Sequence, residues 1–203
     1  RAEHFMPAFE RGMSLHEAEI DAITSNNDEP TFENTILAYD NAGQMLAQTE
    51  LIFGMLCAAE TNERMQALQE QVMPLLSAHR DKIRLDEKLF ARVKDVYDRR
   101  ASLGLDAEQS RLLRKTYDAF VRSGALLDAG QKARLKEING ELSLTAVKFG
   151  NNILAENNNF ALELTADDLE GLPSGVRDAA REKAQAMGKG DKWVFTLHKP
   201  SLI

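Results

Sequence analysis

Proline is nearly absent from the middle of this 203-residue chain. Pro30 and Pro173 bracket a stretch with one other proline, Pro74, while Pro7 and Pro200 lie near the ends. A proline inside a helix removes a hydrogen bond and costs about 3 kcal/mol, so a proline-poor stretch permits long helices. Residue spacing turns that permission into an expectation. Leu135, Ile138, Leu142, Thr145, Phe149 and Ile153 recur in steps of three and four and share one helical face. Leu112, Leu113, Tyr117, Phe120 and Val121 repeat the pattern, as do Leu89, Val93, Val96 and Tyr97. A looser version runs from Phe32 through Ile36, Ala42, Met45, Ile52 and Phe53 to Leu56, and another covers Leu68, Val72, Leu75 and Leu76.

Capping residues fall between these runs. Asp106 with Gln109 reads as a capping box, and Thr31 and Asp86 are N-cap residues. Gly104 and Gly124 stand where helices should stop, because glycine takes the left-handed conformation without strain. The expectation is helices near 7–25, 32–60, 63–84, 87–101, 107–123 and 129–156. After Asn157-Asn158-Asn159 the pattern changes. Phe160 to Leu164 alternates like a strand, and Thr165 to Asp168 caps a short turn. Leu172-Pro173-Ser174 opens a helix to about Met187, and Gly188 to Asp191 forms a turn. Trp193 to Leu197 reads as a second strand. The expected fold class is mainly all-α: a multi-helix domain over 1–156, then a strand–helix–strand segment over 157–203.

Composition removes several function classes. Lys plus Arg number 25 against 32 Asp plus Glu, a net charge of −7. No clustered positive field for nucleic acid is expected from that balance. No apolar run is long enough to span a bilayer. Cys57 is the single cysteine, so no intrachain disulfide can form. The chain opens Arg1-Ala2-Glu3 without Met and stops abruptly at Ser201-Leu202-Ile203, which reads as a piece of something longer.

The residues that carry chemistry are scattered. Four histidines are present: His4, His16, His79 and His198. His16-Glu17 begins an H-E-x-x-H zinc motif, but its fifth position is Ile20, so the second ligand is missing. His16 then reads as part of a partly solvated helix face, and His79 and His198 are expected to lack any nearby His or Cys partner. Cys57 lies in an apolar run, which raises a thiol pKa and suits a packed core residue rather than a nucleophile. No G-x-S-x-G or phosphate-loop motif occurs, and Gly188-Lys189-Gly190 is a turn. Glu17, Glu19, Asp21, Asp167, Asp168 and Glu170 read as solvated acids, and Arg111, Arg114, Lys115 and Arg122 as a wet helix face. Trp193, the only tryptophan, reads as a core or interdomain plug. Composition and spacing assign no catalytic and no metal-binding residue.

Longer strings carry more. They begin with Pro7-Ala-Phe-Glu10, Glu19-Ile-Asp-Ala-Ile23 and Pro30-Thr-Phe-Glu-Asn-Thr-Ile36. Pro74-Leu-Leu-Ser-Ala-His79, Lys88-Leu-Phe-Ala-Arg-Val93 and Tyr117-Asp-Ala-Phe-Val-Arg-Ser-Gly-Ala125 follow. Leu135-Lys-Glu-Ile-Asn139, Lys148-Phe-Gly-Asn-Asn152, Leu169-Glu-Gly-Leu-Pro173 and Trp193-Val-Phe-Thr-Leu-His-Lys-Pro-Ser201 complete the series. In this order they resemble the amino-terminal region of the thimet oligopeptidase family of zinc peptidases. Within that family they are most similar to the peptidyl-dipeptidases, or dipeptidyl carboxypeptidases.

The resemblance implies a mainly helical, deep-channelled hydrolase that acts on short peptides and releases dipeptides from their carboxyl end. Its zinc would be held by an H-E-x-x-H helix and a later Glu in a carboxy-terminal half, the partner this segment would roof. Zinc activates a water there and the motif Glu takes its proton. No position of this sequence matches that motif, so no catalytic residue is carried over. The segment alone would hold no zinc and be inactive. A bacterial cytoplasmic protein is implied, with a periplasmic or envelope location left open because the native amino terminus is missing. Two alternatives stand: an internally cleaving oligopeptidase of the same family, and a self-standing helical protein-interaction module.

Overall fold

Proline and capping residues set where the chain enters its helices. In the computed structural model, which describes residues 1–197, a short 3-10 turn (Ala2–His4) leads into α1 (Phe5–Thr24). Pro7 sits in the first turn of α1, where its missing N–H has no intrahelical partner to lose. A π-helical segment (Phe32–Leu37) continues into α2 (Ala38–Asn41). Then come α3 (Gln44–Ala59), α4 (Glu63–Arg84), α5 (Glu87–Asp98), α6 (Ala107–Arg122) and α7 (Ala129–Asn159). β1 (Leu162–Leu164), a 3-10 turn (Ala166–Leu169), α8 (Ser174–Ala186) and β2 (Trp193–Phe195) follow. The mainly all-α expectation holds.

Three expected caps form as read. Thr31 and Asp106 each close a reciprocal capping box, with Asn34 and Gln109 as partners, and the Asp86 carboxylate accepts from the Leu89 N–H. Gly104 and Gly124 have positive φ, at 63° and 94°.

The single helix expected over 32–60 is not formed. Ala42 is extended, and Gly43 follows in the left-handed conformation at φ 76°, so the chain turns between α2 and α3. Two contacts from α1 hold that corner. The Gly43 N–H donates to Glu19 Oε2 at 2.7 Å. The His16 ring fills the space where a Cβ would stand, with Nδ1 2.8 Å from that position. Further along, a Cβ on Gly12 would come within 3.0 Å of the Leu46 Cα. Side-chain-free backbone on one helix therefore meets the other at close range, and α1 lies along α3.

The chain divides into two compact units, Arg1–Val147 and Lys148–Ile203, with the boundary inside α7. The first unit has two apolar clusters. One gathers Ile20, Ile23, Phe32, Ile36, Leu89, Val93, Val96, Leu113 and Phe120, so the π-helical segment, α5 and α6 all bury a face in it. The Tyr97 and Tyr117 rings stack at its edge, 3.8 Å apart and 5° from parallel. The other gathers Phe9, Leu46, Phe53, Met65, Val72 and Leu76 from α1, α3 and α4. Arg92 ties the irregular segment before the π-helical turn, donating to the Asn26 carbonyl at 2.7 Å and to Asn34 Oδ1 at 3.2 Å.

The second unit holds a two-stranded antiparallel sheet that pairs Leu162 with Phe195 and Leu164 with Trp193. Both strands are shorter than expected. Trp193 is half-buried rather than a core plug, and the Arg181 guanidinium lies 5.0 Å from its ring centre. Glu163 is gripped by Lys189, at 2.5 Å, and by Lys192. His198 and Pro200 lie outside the described residues.

Two outcomes follow. Gly43→Ala should destabilise the protein by about 1–3 kcal/mol, because it adds both φ strain and a clash with His16. Urea unfolding measures this, and an unchanged midpoint would refute the packed corner. Glu163 should titrate at about 2, driven down first by its hydrogen bond from Lys189 and then by Lys192. A carboxyl shifted down contributes above its unfolded pKa and loses the contribution as pH falls through about 2. Side-chain carbon shifts across an acid titration read the value directly.

Candidate functional site

The first unit holds a cleft of about 820 Å³ with walls from α1, α2, α3, α4, α6 and α7. Its charged lining comes from Glu50, Arg80, Asp81, Arg84 and Arg122. Arg80 pairs with Glu50 at 2.5 Å, and Asn139 of α7 donates to Asp81 Oδ1 at 2.7 Å. The Arg84 guanidinium lies 5.4 Å from the centre of the Phe120 ring and 5.7 Å from that of Tyr39. Burial raises the Tyr39 phenol pKa, so that hydroxyl stays neutral.

One wall of the cleft contains a pair that the sequence reading missed. His79, described above as lacking a partner, faces His16 with Nε2 3.1 Å from His16 Nδ1. The reading failed because the two rings are 63 positions apart and only the packing of α1 on α4 joins them. On its other side, His79 Nδ1 is 3.4 Å from Glu17 Oε1, and Glu17 Oε2 pairs with Lys82 at 2.7 Å. The acidic face expected to be merely solvated thus does structural work in part: Glu17 meets His79 and Lys82, and Glu19 holds Gly43. A weak signal was present, since His79 and Lys82 are one turn apart on α4 and face an acid beside His16 on α1.

The other singled-out residues stay apart. Arg111, Arg114, Lys115 and Arg122 are exposed, as expected of a wet face. Cys57 is half-buried beside the second apolar cluster rather than fully packed, and burial raises its thiol pKa. Asp168 caps the short turn after β1, receiving the N–H and hydroxyl of Thr165. The cleft can bind and orient polar groups through its arginines. It brings together no nucleophile with an activating base.

Comparison with known proteins supplies relatives. Dipeptidyl carboxypeptidase of Escherichia coli (strain K12) is 38% identical over 195 residues, covering 96% of this chain and 29% of that protein. Its namesake in Salmonella typhimurium is 36% identical over 197 residues, with the same two shares. Over nearly its whole length the chain is similar to dipeptidyl carboxypeptidases. A Thimet-like oligopeptidase of Dictyostelium discoideum is 24% identical across 206 residues, covering the whole of this chain and again 29% of that protein. No family model matches the chain. The chain thus spans 29% of the length of each of these three relatives.

The family resemblance implies a zinc ion with three or more protein ligands. Among the described residues, no three His, Cys, Asp or Glu side chains gather so that they could hold a metal ion. The His16 and His79 nitrogens face each other, and Glu17 and Glu19 are engaged with Lys82 and Gly43. Purified, tag-free chain should therefore contain no stoichiometric zinc. Elemental analysis showing one tightly held zinc per chain would overturn that expectation.

Proposed function

We propose that this chain is the amino-terminal helical part of a zinc peptidase that releases dipeptides from the carboxyl end of oligopeptides. In this reading it walls the substrate channel, while zinc and its ligands belong to the rest of the protein. The observation that carries it is the pairing of two shares: identity of 36–38% runs through 96% of this chain, yet occupies 29% of each dipeptidyl carboxypeptidase. The similarity runs through the chain rather than resting on a scattered motif. The lower identity to the Thimet-like oligopeptidase, 24%, favours dipeptide release over internal cleavage. A wall of helices suits the chemistry. A narrow channel admits an extended peptide and excludes a folded domain, and its closure expels water from around the reacting bond.

Exposed apolar side chains support a partner surface. On α7, Leu142 is 62% exposed and Phe149 66%, and Ile138 and Ile153 are exposed on the same stripe. On α3, Leu51, Ile52, Met55 and Leu56 are exposed, and Glu50 is the only charged residue of that helix. Exposed apolar side chains in such number suit a surface that meets another protein surface. In the proposed protein, the partner is the catalytic remainder of the same polypeptide.

The test is reconstitution. The chain alone should hydrolyse no peptide, and adding the separately produced remainder with zinc should restore dipeptide release. Phe149→Asp should keep its helicity, since an exposed substitution usually changes stability by less than about 0.5 kcal/mol. It should nonetheless abolish rescue, because docking would bury an unpaired charge. Full rescue by folded Phe149→Asp would remove α7 from the partner surface. Dipeptide release by this chain alone, free of host peptidases, would overturn the reading itself.

A further inference from the structure

Two histidines meet inside the first unit without a catalytic neighbour, and their arrangement has a specific electrical weakness. His79 is 5% exposed and its ring centre lies 5.1 Å from that of His16. Their facing nitrogens, 3.1 Å apart, share one hydrogen bond, so one nitrogen must carry the proton and the other must be bare. The Glu17 charge biases which. Its carboxylate, 3.4 Å from His79 Nδ1, favours a proton on that nitrogen. His79 Nε2 is then the acceptor, and His16 Nδ1–H donates to it. A first added proton can sit on His16 Nε2 and leave this bond intact. A second has to go to His79 Nε2, and two N–H groups then point at each other.

We propose that His16 and His79 form an acid-released latch that ties α1 to α4 and braces the left-handed corner at Gly43. The geometry couples the three parts. The His16 ring occupies the space beside the Gly43 Cα, and three residues on, Glu19 of the same helix holds the Gly43 N–H. Losing the imidazole bond therefore frees the side chain that fills the corner, on the wall of the cleft.

The surrounding charges moderate the latch without cancelling it. Glu17 and Glu19 of α1 and Glu50 of α3 favour protonation of the pair, with Glu50 already engaged by Arg80. Lys82 of α4, itself paired with Glu17 and near Asp21, opposes it. Burial is the largest influence on both rings and lowers both pKa values, and His79 lowers that of His16 further. The folded chain thus binds these protons less tightly than the unfolded chain. The latch is at full strength above about pH 6.5, the ordinary imidazole value, and weakens as pH falls below it.

The latch is independent of the peptidase reading and is tested without any activity. In the wild-type chain, both imidazoles should titrate below about pH 6.5 by nuclear magnetic resonance. The opening constant from amide exchange at Gly43 and in α4 should rise about tenfold per pH unit for one excluded proton, and toward a hundredfold for two. Between pH 7.5 and 5.5 the constant should stay level down to about pH 6.5 and rise below it. His16→Gln can donate to a bare His79 Nε2 or turn its carboxamide oxygen toward a protonated one, so the clash is relieved and its slope should fall below that of wild type. Titration of either imidazole at or above about pH 6.5 overturns the latch, whether or not the variant folds. So does an opening constant that is flat with pH, or a folded His16→Gln with the wild-type slope.

Discussion

The first unit rests on how closely α1 can approach α3, and two glycines decide that distance. Gly12 lets the Leu46 backbone come close, and Gly43 takes both the turn and the pressure of the His16 ring. A Cβ at Gly12 would press on the Leu46 backbone, and one at Gly43 on the His16 ring. Phe9 of α1 and Phe53 of α3 pack across the same approach, their rings meeting edge to face with centres 5.3 Å apart. Packed interiors respond to such shifts as whole units rather than by local give. The aromatic cluster beneath, the corner above and the start of the cleft all inherit one helix-to-helix spacing.

The sequence was most readable where the deciding interaction is local. Thr31 with Asn34, and Asp106 with Gln109, are caps closed within three residues, so their residue types suffice to place helix starts. The break at Ala42-Gly43 was unreadable for the opposite reason. The apolar period runs on from Ile36 to Met45, and the residue that stabilises the turn, Glu19, is 24 positions away. The His16 and His79 contact was hidden in the same way. The stripe on α7 was read correctly as one helical face, but its periodicity could not say what covers it. In the described chain that face stays largely in water.

The cleft and the stripe suggest a division of labour for such a module. Ion pairs and stacked guanidiniums hold the concave wall in shape: Arg80 on Glu50, and Arg84 over Tyr39 and Phe120. Each exposed pair contributes little by itself, about 0–1 kcal/mol, but a wall needs definition more than strength. Apolar side chains on α3 and α7 offer area without direction, which suits a broad permanent contact. Rigid polar surface and adhesive apolar surface are thus kept on different helix faces.

Tyr39, Tyr97 and Tyr117 all belong to the first unit, whereas Trp193, the only tryptophan, belongs to the second. The molecule therefore carries two native optical labels sorted by unit. Tryptophan emission follows the small sheet and its covering arginine. The near-ultraviolet dichroism of the parallel Tyr97 and Tyr117 rings follows the helical core. Heating or denaturant can be watched in both channels at once, with no dye attached. Coincident curves would show one cooperative transition, and separated curves would show a chain that melts in two steps.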